Sequence, residues 1–149
     1  MKRFHRDIVS ALIFSTDNKL LMGRKNSSGG GVYADYWHIP GGGVHQSEDK
    51  ITALKREVLE ETNINVNKFP ISLVDDKGFG TSPKRINGDM VLCEMTFFVY
   101  KIKLDKKASD IIPSPTDDLV ELNWVDVDKL GDYQLAPPSV SLFQRLGIL

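Results

Sequence analysis

Three consecutive glycines, Gly41–Gly43, stand directly before a segment that combines helical periodicity with a crowd of acids: "GGGVHQSEDKITALKREVLEETNI", residues 41–64. Glycine lets a backbone approach another group with no Cβ in the way, so the chain ahead of the helix is built for close contact. Ser47 is the expected N-cap, with Glu48 and Asp49 in a first turn where the helix dipole favours acids. Ile51, Leu54 and Val58 recur at helical spacing as an apolar stripe. Asn63 falls just past the end, where a left-handed residue commonly closes a helix. On a wheel of about 100° per residue, Glu57, Glu60 and Glu61 share an arc of roughly 100° beside that stripe. A solvated face would account for the acids alone, but not for the glycines in front. Three adjacent carboxylates repel and raise one another's pKa values. A hard divalent cation such as Mg²⁺ removes the conflict, because it accepts carboxylate oxygens and commonly bridges them to substrate phosphates.

The flanking sequence supplies strands. "DIVSALIFST" (7–16) is apolar and β-branched, "DN" at 17–18 is a turn, and "KLLMGRKN" is the returning strand of a hairpin. Residues 27–36 form a glycine-rich loop, and "WHIP" is a short strand. A strand and turn are expected over 66–79, a loop over "SPKRINGD" (82–89) and a long, central strand over 90–104. A polar connection (105–118) leads to "LVELNWVDVDKL", a strand running into a short helix, and the tail closes as a helix with Pro138 near its start. Strands outnumber helices in mixed order, so the expected class is α+β, an α/β/α sandwich around a mixed β-sheet.

Composition narrows the function. The 149 residues are the usual size of one domain, expected to span 1–149. Net charge is −1, from 19 basic and 20 acidic residues, which gives no support for a broad nucleic-acid or membrane surface. The single cysteine, Cys93, lies in an apolar run and reads as a core residue; no disulfide framework or Cys-based zinc site is available. The N-terminal basic residues are followed by no long apolar stretch, and no segment is long enough to cross a bilayer. A reducing cytoplasm is the default.

The spacing is specific: Gly42, five residues, Glu48, seven residues, Arg56-Glu57-Val58-Leu59-Glu60-Glu61, one residue, then Asn63-Ile64. It resembles the Nudix box, with Asn63 in place of the family's glycine; Asn tolerates the left-handed conformation. "WHIPGGGV", "LLMGRK" and "VELNWVDVDKL" resemble family strands, and the Tyr36-Trp37 approach with the triple glycine is similar to bacterial nucleoside triphosphatase members. The resemblance implies hydrolysis of a pyrophosphate bond in a nucleoside diphosphate-linked substrate, with Mg²⁺ or Mn²⁺ as cofactor. It implies Glu57, Glu60 and Glu61 as metal ligands, joined by a backbone carbonyl for which Gly41 is the candidate. The base would be Glu57, Glu60 or a further acid brought in by a loop, Asp118 or Glu121. Arg56 would orient the cluster through Glu60 or Glu48. Arg24, Gly42, Gly43 and Tyr36 are the expected substrate contacts, with Trp37 and Phe79 as other stacking candidates. His38 and His45 are expected to be structural or exposed, since a hard-metal site does not call for imidazole. The implied partner is a small nucleotide, without nucleic acid or membrane; a homodimer through sheet edges or the last helix is open. The alternative is a nucleotide-binding sensor without turnover, although such modules generally lose a box carboxylate and all are present here.

Overall fold

The computed structural model describes residues 1–25, 35–116 and 119–149. Seven strands form one sheet: β1 (Lys2–Phe14), β2 (Lys19–Lys25), β3 (Trp37–His38), β4 (Gly41–Gly43), β5 (Ile71–Ile86), β6 (Asp89–Lys103) and β7 (Leu119–Asp126). Its path runs β3-β2-β1-β6-β5, with β4 on β1 and β7 on β2. β1 and β6 run parallel from Lys2↔Val91 to Phe14↔Lys103, and the other pairs are antiparallel. The sheet is therefore mixed, and β6 lies between β1 and β5.

The other edge of β1 is divided. Its end meets β2 at Phe14↔Leu20, while its middle, Ile8 to Ser10, meets the glycine strand β4. Helix α1 (Lys50–Thr62) covers one face of the sheet and α2 (Pro137–Arg145) the other. Strand alternation sorts the cores. Val9, Ala11 and Ile13 of β1 join Ala53, Leu54 and Val58 of α1. Leu12 joins Leu20, Met22 and Val99 beneath Leu142 and Phe143 of α2. This is the α/β/α arrangement expected from the sequence. Cys93 is fully buried and free, as a core residue should be.

Several local expectations change. The N-cap of α1 is Asp49, whose Oδ1 accepts from the Thr52 N–H at 2.8 Å; Ser47 instead takes φ 67° in the approach. The helix thus starts two residues later, and Glu48 is freed from the first turn for another use. Leu54 and Val58 are buried, but Ile51 is exposed and Ala53 takes its place in the stripe. Asn63 closes the helix at φ 61°, ψ 23°, with its N–H on the Leu59 carbonyl, as expected for Gly or Asn there. Residues 82–86 are strand rather than loop. Asn87 (φ 52°) and Gly88 (φ 85°) make a two-residue hairpin turn joining β5 to β6. Asn-Gly suits such a turn because both central residues need positive φ.

α2 is tied to β5 by a forked pair. Arg145 Nε and Nη2 donate to the Asp75 carboxylate at 3.1 and 2.9 Å. Arg145 holds the Asp75 carboxyl below its ordinary 3.8, followed in effect by opposing desolvation. Asp75 is buried but Arg145 is about one-third exposed. Asp75→Asn should therefore cost about 1–2 kcal/mol, between an exposed pair and a fully buried one. Because the folded pKa is depressed, the pair's contribution is present above pH 3.8 and fades as pH falls below it. Urea unfolding at pH 7 and pH 3 should show the wild-type–variant gap shrinking at the lower pH.

Candidate active site

The three glycines of β4 lie between two layers. Opposite Val9, Gly42 faces α1, and a Cβ there would land on the Glu57 carboxylate, 2.5 Å from each oxygen. The Gly41 N–H donates to Glu61 Oε1 at 2.8 Å. The glycine strand thus sits directly on two carboxylates of α1, which are 9 % (Glu57) and 3 % (Glu61) exposed. On its opposite face, a Cβ at Gly41 would strike Ser10 and the Val9 carbonyl. The close approach that three glycines in sequence suggested is realised on both sides.

Arg56 organises the acids. Its Nε and Nη2 donate to Glu48 Oε2 and Oε1 at 2.8 and 2.9 Å, a forked pair. Its Nη1 reaches Glu57 Oε1 at 2.9 Å and Glu60 at 3.4 Å, and its Nη2 reaches the Gly43 carbonyl at 3.1 Å. One guanidinium therefore joins helix, approach and glycine strand. Both sequence alternatives for Arg56, Glu60 and Glu48, are occupied together. The fork from Arg56, helped by the His45 N–H, holds the Glu48 carboxyl at about 2. The Glu48 pair, opposed by desolvation, raises the Arg56 pKa further.

Arg56→Lys should keep the charge but lose the fork. Glu48 should then rise from about 2 toward its ordinary 4.5 in carbon-detected NMR titration. The sign is clear: a depressed folded pKa stabilises above pH 4.5, and that contribution is lost as pH falls to about 2.

Glu60 is the outward member, 46 % exposed and joined to Arg56 at the long end of hydrogen-bond range. Among the described residues, no group of three or more His, Cys, Asp or Glu side chains is already gathered for a metal ion. Arg56 and the Gly41 N–H hold carboxylates that a cation would otherwise share. The donor set still fits a hard cation. Glu60 and Glu61 stand one helical turn after Glu57, all offering oxygen, and Glu60 has the rotamer freedom of an exposed side chain.

A cavity of about 1050 Å³ opens on the other side of β4, between the sheet and α2. Gly41 and Gly42 form part of its wall, and Ile8, Ser10 and Phe97 belong to the same sheet face. Lys25, Lys77, Lys84 and Arg145 also line it, with no carboxylate among the described lining residues, although Arg145 is paired with Asp75 and Lys77 with Asp76 outside the lining. A cavity with that charge suits an anion.

The remaining expected residues are distributed unevenly. Arg24 and Glu121, anticipated separately as phosphate ligand and extra acid, face each other across β2 and β7. Arg24 Nε donates to Glu121 at 3.0 Å and its Nη1 to Asp35 at 3.0 Å. Tyr36 is partly buried just before β3. Trp37 packs edge-on to Tyr133 and against the α2-side core, while Phe79 is 62 % exposed and lines the cavity. Asp118 lies outside the described residues. His45 is exposed. His38 lines the cavity with Nδ1 3.0 Å from the Ile39 carbonyl, so Nδ1 carries the proton. Burial lowers the His38 pKa, and its buried Nε2 has no partner among the described residues. The lysines of β5 and Arg6 of β1 carried no sequence signal, since only strand pairing brings them beside the glycines.

A glycine strand thus lies on buried helix carboxylates, with a cavity lined by cationic side chains behind it. The NUDIX domain model matches residues 4–146, and the chain belongs to that family. It is 34% identical over 132 residues to an RNA pyrophosphohydrolase of Pelagibacter ubique (strain HTCC1062), covering 85% of this chain and 80% of the relative. The MutT protein of Methanosarcina mazei Go1 superposes with a TM-score of 0.69 at 22% identity, over 99% of this chain and 96% of the other. The E. coli dihydroneopterin triphosphate pyrophosphohydrolase gives 0.69 at 16% identity, over 93% and 92%. These two structures establish the likeness of fold. Among the described residues, no helix is long and apolar enough to cross a membrane.

Proposed function

We propose that this protein is a metal-dependent pyrophosphohydrolase acting on a nucleoside diphosphate-linked substrate, with a nucleoside triphosphate or (deoxy)nucleotide derivative as the favoured class. The supporting observation is the contact of Glu57 and Glu61 with the Gly41–Gly42 backbone, which itself walls the cavity. Glu57, Glu60 and Glu61, with the Gly41 carbonyl, would hold Mg²⁺ or Mn²⁺. Bound there, the cation would neutralise phosphate charge and polarise the scissile P–O bond.

The chain's own groups supply the positioning that dominates phosphoryl transfer. Arg56 holds Glu57 against the glycine strand, and Glu48 keeps Arg56 in place. Glu57 or Glu60 takes the proton of the attacking water, which forms a new P–O bond as phosphate or nucleotide leaves. Glu121, held by Arg24 at 3.0 Å, is the further candidate for the base. Phe79 offers an apolar surface for a base, and the lysines lining the cavity would meet the phosphates.

The sequence relatives are RNA pyrophosphohydrolases, which adds a second arm, an RNA carrying a pyrophosphate bond. Retention of Arg56 and all the box glutamates favours turnover over a binding-only module. The test is a panel of about thirty nucleotides plus a 5′-triphosphorylated dinucleotide, with magnesium, read by released phosphorus species. Hydrolysis of a member supports the reading. Magnesium-dependent binding without any release would favour the sensor instead.

A further inference from the structure

The six arginines are all described, and five are held by an acceptor. Arg3 is on Glu94, Arg24 on Asp35 and Glu121, Arg56 on the box acids, Arg85 on the Gly88 carbonyl and Arg145 on Asp75. Arg6 has no hydrogen bond or ion pair among the described residues. Yet it does not extend freely into water. It is partly buried, and its guanidinium lies so closely against Gly43 that a Cβ there would overlap it. A guanidinium has five N–H donors and no acceptor of its own, so one pinned in place with no acceptor among the described residues, its donors reaching solvent, is free to take an incoming anion.

Its position suggests what completes it. Alternate residues of a strand share a face. Arg6 therefore stands on the face of β1 that carries Ile8 and Ser10, both lining the cavity. Gly43 follows the two cavity-lining glycines, and its carbonyl accepts from Arg56 on the catalytic side. Arg6 and Arg56 thus approach one glycine from different elements, but only Arg56 is surrounded by carboxylates. Arg6 and Gly43 stand just outside the cavity lining, Arg6 next on its strand face to Ile8 and Gly43 next in sequence to Gly42, both of which belong to it; that lining contributes lysines and no described carboxylate. Arg24, the arginine expected to meet phosphate, is engaged by two acids.

We infer that Arg6 is a phosphate-binding residue of the cleft, its fork held against Gly43 to receive an oxygen pair of the substrate's phosphate chain. The inference deepens the pyrophosphohydrolase reading and rests on it for the substrate, though not for the anion. Gly43 is then small for two reasons, access of Arg56 to its carbonyl and room for Arg6 above it. A forked guanidinium–phosphate contact is directional as well as charged, so lysine replaces it only in part.

Calorimetric titration with sodium pyrophosphate, with and without magnesium, tests this directly. Arg6→Ala and Arg6→Gln should weaken binding by about 10–100-fold, and Arg6→Lys by less. Gly43→Ala displaces the guanidinium and should weaken binding too, with the double variant Arg6→Ala/Gly43→Ala little worse than either alone. Melting temperatures of Arg6→Gln and Arg6→Lys matching the wild type assign the loss to the ligand contact. Unchanged affinity in Arg6→Gln overturns the inference, as does a wild-type protein that binds no pyrophosphate. A wild type that binds pyrophosphate through Arg6 but hydrolyses no nucleotide keeps the Arg6 assignment and removes the hydrolase reading.

Discussion

Glu61→Gln is expected to lose at least about 100-fold in magnesium-dependent turnover, since disturbing even an outer partner of a metal ligand costs ~10–100-fold. The substitution is informative because the fold has little reason to object. The Gln amide oxygen still accepts from the Gly41 N–H, which Glu61 holds at 2.8 Å, and the side chain keeps its volume in a 3 % exposed position. What disappears is the negative charge. Steady-state release of phosphorus species and thermal melting should be measured on the same preparation. Turnover near wild type would remove Glu61 from the metal-binding set, and with it the central member of the proposed site. Full loss with unchanged melting would separate its charge from its packing.

Gly42→Ala carries the second large effect, and here stability and activity should fall together. The new methyl would lie 2.5 Å from both Glu57 oxygens. Glu57 has no route of retreat, being 9 % exposed and tied to Arg56 Nη1 at 2.9 Å. Overpacking of this kind costs about 1–3 kcal/mol, and turnover should drop to background because Glu57 and Arg56 are displaced as a unit. Urea unfolding gives the first quantity and the nucleotide assay the second. Wild-type values for both would mean that the glycine strand can move off the helix, contrary to the tight layer on which the mechanism depends.

Much of the fold was legible because its signals are local. Apolar β-branched runs gave the strands, and the spacing of Leu54 and Val58 gave the buried stripe of α1. Asn63 was readable as a helix end because one residue's φ decides it. The misplaced N-cap shows how a local signal is overridden. Ser47 is a good cap, but Asp49 supplies the cap and leaves Glu48 free to hold Arg56 from below the helix. The hairpin at Asn87-Gly88 was lost within a polar stretch, since the exposed face of β5 carries residues that loops also favour.

The site divides in the same way. Sequence by itself determined the carboxylates, Arg56 and the glycines in front of them, because all lie within one turn and one helix, where spacing implies position. It could not place Arg24 against Glu121, or Arg6 against Gly43, because those contacts depend on which strands are neighbours. Only the tertiary structure decided that Gly42 faces Glu57 while Gly43 faces Arg6. The pleat sends successive residues to opposite faces, and strand register chooses which face meets the helix.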